Sequence, residues 1–310
     1  ALSTLDIGQS DEVIVPDLTF ASPVNAIIHT GAKPVLAEVK KNTYCIDEQK
    51  IEKLITKKTK AIVVVHLYGH PAQIKDILKI TKKYGIYLIE DCAEALGSYY
   101  NGKHVGCFGD ISTFSFFANK TITTGEGGMI SFKKRENFQR GKILRDHGMS
   151  RDKKYWHIYP GFNFRMTNLQ AAVGLAQMER IGWFIKKKRK LVNLYNKHLA
   201  NIDFIDLPGE YGNVINSYWL YTINLKKGVT RYKNELIRKM NLNGIEARPV
   251  FYSMHLMPIY KKYVKKNYSL LNSKALSNAG ISLPSAYDIS EKDIIRIKIF
   301  LQNFKKNIQI

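Results

Sequence analysis

Acidic residues are scarce. The 310-residue chain carries 26 aspartates and glutamates against 48 lysines and arginines, a net charge of +22. Such a field suits an anionic partner (a nucleic acid, a membrane surface or a phosphorylated substrate), or it is a lysine-rich solvated surface. The cations fall in short runs in every part of the chain, at Lys57–Lys58, Lys186 to Lys190 and Lys305–Lys306. No long basic arm and no aromatic-interleaved basic patch exists, so the solvated surface fits better and no nucleic-acid partner is expected. Cysteine is scarce as well. Cys45, Cys92 and Cys107 lie far apart with no C-x-x-C pair. That excludes a disulfide framework and a cysteine zinc site, so no metal is expected and a reducing cytoplasm is the expected setting. No apolar run approaches the roughly 20 residues of a membrane span. Repeats and low-complexity linkers are also missing, and no secretory segment is expected ahead of the fold. The opening residues, Ala1 to Leu5, read as the last turns of a helix, so the chain is expected to begin inside a domain.

What is present is ordinary globular material, 45% apolar and 24% charged. Val13 to Val15, Val35 to Val39, Ile62 to Val65, Tyr87 to Ile89, Ile111 to Phe117 and Met129 to Phe132 read as strands. Helical patterns separate several of them. One opens after Gly69, with Pro71 near its first turn, and closes at Gly85. Strands alternating with helices imply crossover connections and a mostly parallel sheet. The strands are almost continuously apolar, as strands covered on both faces should be. Thr167 and Gln170 have the spacing of a capping box, and Leu169, Ala172, Val173 and Ala176 follow at helical spacing. A basic helix is expected from Trp183 to Leu199. Beyond it come a strand from Tyr218 to Leu225, a helix from Lys233 to Leu242, a strand from Ala247 to Phe251 and a closing helix marked by Ile294, Ile297 and Leu301. The expected layout is α/β. A large, mostly parallel domain covers 1–182, a connecting helix 183–202, and a smaller α+β domain 203–310.

Ligands of parallel α/β sheets bind outside the carboxyl ends of the strands. The run Tyr87 to Glu90 ends in Asp91, and the run Ser112 to Phe117 leads into Ala118-Asn119-Lys120 and a Thr/Gly-rich loop from Thr121 to Gly128. An acid and a lysine therefore share one sheet edge, 29 residues apart in sequence. Alone, the acid reads equally as a helix cap and the lysine as a surface residue. Lys120, however, follows a segment with almost no charge. Desolvation there favours the neutral, nucleophilic amine that carbonyl-condensing lysines need. Pyridoxal phosphate chemistry asks for such a lysine, for a carboxylate that keeps the pyridine nitrogen protonated, and for hydroxyls and N–H groups around the phosphate. Asp91, Lys120, Ser115 and the turn from Thr19 to Ser22 supply one candidate for each.

At these residues the sequence resembles the DegT/DnrJ/EryC1/StrS family of pyridoxal-phosphate-dependent nucleotide-sugar aminotransferases. The resembling blocks include Thr19 to Ser22, His66 to Gly69, Glu90 to Ala95, Ser115 to Lys120, Gly125 to Met129, Gly161 to Arg165 and Arg248–Pro249, in order along nearly the whole chain. The resemblance implies the type I aminotransferase fold. It implies Lys120 as the lysine linked to the cofactor and as the proton carrier, and Asp91 as the acid on the pyridine nitrogen. Ser22 and Ser115 become phosphate contacts. Glu94 stands where the family often has Gln or His near the ring hydroxyl. Asn163, with Arg165 beside it, reaches the cofactor phosphate of a neighbouring subunit, which implies a homodimer with shared sites. Tyr44 lies against the ring, and His147 and His255 line the sugar or nucleotide side. The stretches Asn119 to Met129, Asp146 to Ser150, Arg165 to Ala172 and Tyr252 to Tyr260 resemble the subgroup that aminates GDP-4-keto-6-deoxymannose, with glutamate as donor, for surface polysaccharide. A sugar dehydratase on the same scaffold would carry histidine in place of Lys120. Relatives acting on UDP- or dTDP-linked keto sugars, and a non-catalytic homologue, are the other readings.

Overall fold

Short apolar strands and amphipathic helices build the first half of the molecule. A computed structural model describes residues 1–307. After a single 3₁₀ turn at Leu2–Leu5, the elements are β1 (Glu12–Pro16), α1 (Ala21–His29), β2 (Lys33–Ala37), the one-turn α2 (Glu48–Ile51), β3 (Thr59–Val65), α3 (Ile74–Tyr84) and β4 (Tyr87–Asp91). Then follow the short β5 (Tyr99–Tyr100) and β6 (Lys103–His104), β7 (Ile111–Ser115), β8 (Gly128–Phe132) and α4 (Arg135–Leu144). Six of the strands form one sheet in the order β2-β1-β3-β4-β7-β8. All neighbours run parallel except β8, which pairs antiparallel with β7. The fold is α/β with a large, mostly parallel sheet, as expected.

Alternation along the strands explains their unbroken apolar character. Val13, Val15, Val63, Val65 and Ile89 face one core, and Ile14, Val35, Ile62, Val64 and Leu88 face a second core on the other side. Each such side chain contributes about 1.5–3 kcal/mol on burial. Helix α3 ends where Gly85 adopts φ 64°, a left-handed conformation that glycine takes without the Cβ penalty. It starts at Ile74, later than the sequence suggested, because Gln73 at φ −76°, ψ 69° lies outside the helical region.

The second half begins with α5 (Asn168–Met178) and α6 (Ile181–Leu199). The capping box of α5 is formed: Thr167 Oγ1 accepts from the Gln170 N–H, and Gln170 Oε1 accepts from the Thr167 N–H. No residue of α5 is buried. Then come β9 (Ile205–Asp206), β10 (Val214–Ile215), β11 (Tyr221–Leu225), α7 (Lys233–Leu242), β12 (Arg248–Pro249), α8 (Leu271–Ala279), β13 (Gly280–Leu283) and α9 (Glu291–Asn307). A four-stranded sheet runs β12-β13-β11-β9, and β10 joins β5 and β6 in a small three-stranded one. The strand expected from Tyr218 starts only at Tyr221, because Tyr218 sits at φ 51°, outside the extended region. The strand expected from Ala247 to Phe251 shrinks to two residues, the second a proline with no N–H to donate. Ile294, Ile297 and Leu301 of α9 pack with Leu191, Tyr195 and Leu199 of α6 in a third core. Trp219, Val250 and Met254 pack instead onto the first core, under the sheet edge where β4 and β7 end.

Candidate active site

A cavity of about 590 Å³ opens at that edge. Its walls come from three places. The β1–α1 turn gives Thr19, Phe20 and Ser22, the ends of β4 and β7 give Asp91, Glu94, Ser115 and Lys120, and the C-terminal part gives Trp219, Arg248 and Phe251. Parallel strands end with their side chains and the following loops on one side, so Asp91 and the loop after β7 converge there without any long-range motif.

The Lys120 side chain is only 14% exposed. Its Nζ lies 3.7 Å from Glu94 Oε1 and 4.0 Å from the centroid of the Trp219 ring. Glu94 Oε2 accepts from the Tyr68 N–H at 2.9 Å. Burial pushes the Glu94 carboxyl up to about 7, against the pull of the Lys120 charge and the Tyr68 N–H. Asp91 Oδ1 accepts from the Ala93 N–H at 3.0 Å. Burial also raises the Asp91 carboxyl, opposed by that bond and by the Lys120 charge. A cation brought beside Asp91 would therefore be met by a carboxylate kept from water. The neighbouring Glu90 points to the other side of the sheet, as alternation requires. It accepts from His66 Nε2 at 3.2 Å, from the N–H groups of Gly106, Phe108 and Gly109 at 2.8, 2.8 and 2.6 Å, and from Ser112 Oγ at 3.3 Å. Burial alone would raise Glu90, but the His66 bond and charge and the Gly109 and Gly106 N–H groups bring it down to about 2. His66, Glu90 and Cys92 are close enough to face one ion, yet they are fully buried and the carboxylate is already saturated with donors.

Ser22 and Ser115 line the cavity, as does Thr19, whose buried Oγ1 has no hydrogen-bond partner. Four other residues singled out in the sequence lie elsewhere, and so does a fifth. Tyr44 stands behind Tyr68, edge-on at 5.6 Å, and its hydroxyl donates to Asn224 Oδ1 at 2.6 Å in a separate cavity of about 380 Å³. A ring in the main cavity would meet Tyr68 first. His255 is engaged by the buried Asp17, through its N–H at 2.8 Å and its Nδ1 at 2.6 Å. His147 is exposed at φ 57°, its carbonyl accepting from His157 Nδ1 at 2.9 Å. Asn163 and Arg165 are exposed on the segment between α4 and α5, where Asn163 bridges to Asp146 and Arg165 lies 3.3 Å from the Asp146 carboxylate.

Sequence reasoning missed Trp219, Tyr68, Phe251 and Arg248. Tyr68 and Arg248 sit in blocks that carry the family resemblance, which was a usable signal. Trp219 and Phe251 follow no motif and enter through tertiary packing alone. Tyr68 stacks on Phe251 at 5.5 Å and on Trp219 at 6.4 Å, making an aromatic wall opposite the sheet edge.

An amine, a carboxylate opening onto the same space, and the hydroxyls of Ser22, Ser115 and the unpartnered Thr19 form the donor set that pyridoxal phosphate requires. The residues present fit the group. Comparison with known proteins agrees. GDP-perosamine synthase of Escherichia coli O157:H7 is 43% identical over 299 residues, 96% of this chain and 80% of that protein. The Vibrio cholerae protein of the same name is 40% identical, over 98% of this chain and 82% of its own length. Among solved structures, Spr1654 of Streptococcus pneumoniae in its PLP form superposes with a TM-score of 0.91 at 26% identity, covering all of this chain and 84% of that one. The profile of the DegT/DnrJ/EryC1/StrS aminotransferase family matches residues 1–301. The chain belongs to that family and is a pyridoxal-phosphate-dependent sugar aminotransferase.

Proposed function

We propose that the chain moves the amino group of glutamate to C4 of a nucleotide-linked 4-keto-6-deoxy sugar, with GDP-4-keto-6-deoxymannose as substrate and GDP-perosamine as product. The observation that carries this reading is the meeting of Lys120 and Asp91 in one cavity. The relatives that are 40–43% identical to the chain over the aligned residues, both GDP-perosamine synthases by name, support the choice of sugar and nucleotide.

Bound pyridoxal phosphate supplies an electron sink for the carbon that loses or gains a proton. Every other task falls to the chain. Lys120 Nζ would hold the cofactor, and its amine, once free, would move the proton at the substrate carbon as base and acid in turn. Asp91 would hold the pyridine nitrogen protonated. Such a buried ion pair serves chemistry, since its desolvation cost offsets what it adds to fold stability. Glu94 would meet the ring hydroxyl, and Ser22 and Ser115 would hold the phosphate. Asn163 and Arg165 complete the phosphate site of a second subunit, so the working unit is a homodimer. Exposed apolar side chains around those two residues support a buried interface: Phe164 is 72% exposed and Leu169 82%. His147 belongs to the substrate side of that shared site. Tyr44 supports the cavity from behind Tyr68. In functional terms 1–182 bind the cofactor, 183–202 connect, and 203–310 close the site. The basic surface draws in the diphosphate of the sugar nucleotide. No helix among the described residues is long and apolar enough to cross a membrane, and we place the reaction in the cytoplasm, feeding O-antigen-type polysaccharide.

The test is a glutamate-dependent assay against GDP-, UDP- and dTDP-linked 4-keto-6-deoxy sugars, with product analysis. An amino sugar from the GDP substrate alone, with 2-oxoglutarate in equal amount, is the expected result. A deoxy sugar, or preference for another nucleotide by more than tenfold, refutes the assignment.

A further inference from the structure

Lys120 must spend part of each cycle detached from the cofactor, when the amine of a substrate occupies its place. The exchange swaps one amine for another and needs no oxidant or reductant. The freed amine becomes an ammonium when it takes the proton from the substrate carbon, and that cation, on a side chain only 14% exposed, is costly to leave unheld.

We infer that Trp219 and Glu94 form the receiving site for the detached Lys120, holding its ammonium between an indole face and a carboxyl group. The inference rests on the proposed role of Lys120. The geometry is a closed ring of contacts. Nζ lies 4.0 Å from the Trp219 ring centroid and 3.7 Å from Glu94 Oε1. The indole is fixed from both ends: its Nε1 donates to the Asn119 carbonyl at 2.7 Å, one residue before the lysine, and the Trp219 carbonyl accepts from Lys188 Nζ at 3.0 Å. Lys188 is itself buried, makes a second bond to the Ser285 carbonyl, and faces the Tyr287 ring, whose hydroxyl donates to the Thr121 carbonyl at 2.8 Å. The carboxyl is fixed too, since Glu94 Oε2 accepts from the Tyr68 N–H and the Tyr68 ring stacks on Trp219. Tyr68 holds φ 54° to make that N–H available, a conformation that a tyrosine adopts only under constraint. Indole is the strongest aromatic partner for an ammonium, and desolvation strengthens the pairing. Parked there, Nζ stays beside the reacting carbon instead of drifting to solvent, so Trp219 acts as a positioning residue for the proton transfers.

The first test uses cofactor-free protein and needs no turnover. Lys120→Met removes the ammonium from the indole and should alter tryptophan emission; in a Trp219→Phe background the same change should leave emission unaltered. Trp156 and Trp183 are present in both proteins and cancel in the comparison. The second test is kinetic. Trp219→Ala should lower kcat roughly tenfold with KM for both substrates within twofold, and Trp219→Phe should fall between. Trp219→Phe keeps the aromatic wall if the alanine variant fails to fold. An emission response to Lys120→Met that survives Trp219→Phe, or a Trp219→Phe enzyme with unchanged kcat, overturns the inference. Retention of the near-visible absorbance of bound cofactor in Lys120→Ala instead overturns the role of Lys120 itself, and the two failures are told apart by that spectrum.

Discussion

The sheet edge at β4 and β7 and the segment from Asp146 to Met178 are both rich in aromatic and apolar side chains, but only the first is closed by its own chain. At the edge, Tyr68, Trp219 and Ile89 are buried to within 7% of full cover. Along the segment, Tyr155 is 75% exposed, Phe164 72%, Leu169 82% and Leu175 64%, and Phe162 stacks on Phe164 at 4.9 Å in the open. The first region has its contacts assigned within the fold and can hold chemistry. The second leaves its large apolar side chains in water, and it carries Asn163 and Arg165. The contrast separates what one subunit supplies from what the proposed partner supplies.

The largest effect should come from breaking the closed region. Lys120→Ala is expected to abolish the near-visible absorbance and to lower kcat by at least about a thousandfold. Asp91→Ala should retain some cofactor, detectable by absorbance after dialysis, while kcat falls by about a hundredfold or more. Next comes the open region. Leu169→Glu with Leu175→Glu should yield monomers by light scattering and lose most activity, while the melting of the core around α6 and α9 stays unchanged. Dimers at wild-type strength would erase the contrast. A smaller effect is expected from Glu94. Its carboxyl titrates near 7 in the fold but near 4.5 when unfolded. The native state therefore binds the extra proton between those values, and stability falls as pH rises from about 4.5 to 7. Glu94→Gln should flatten that slope, by on the order of 1–3 kcal/mol across the window in urea melts. The smallest change is Thr167→Ala, which removes the capping box of the exposed helix and should cost about 1 kcal/mol.

Much of the closed region was legible in the sequence. Strand ends are marked by the switch from apolar residues to Asp91 and to Asn119–Lys120, and the parallel sheet then brings them together. The cavity hydroxyls of Ser22 and Ser115 were legible for the same reason, standing in the first turn of α1 and at the end of β7. Trp219 and Phe251 were not, because they reach the cavity from a part of the chain far downstream with no periodicity to announce it. Tyr44 was misplaced by one layer, since a sequence does not say which of two tyrosines, 44 or 68, stands in front. His255 was read toward the substrate, and the partner that holds it, Asp17, lies 238 residues away. In α5 the helical spacing of Leu169, Ala172 and Val173 was correct, but spacing alone does not tell a core stripe from one awaiting another subunit.

Glu90 and Asp91 are successive residues of one strand with unlike duties. One ties down the loop from Gly106 to Gly109 beneath the sheet, and the other looks into the cavity above it. A single-residue insertion or deletion ahead of this dipeptide would exchange the duties, sending the anchor upward and the functional acid into the foundations. The register of β4 is thus under double lock. Length changes in the loop before it must be absorbed before Tyr87, and this makes the dipeptide a sensitive place to probe how folding and catalysis constrain each other.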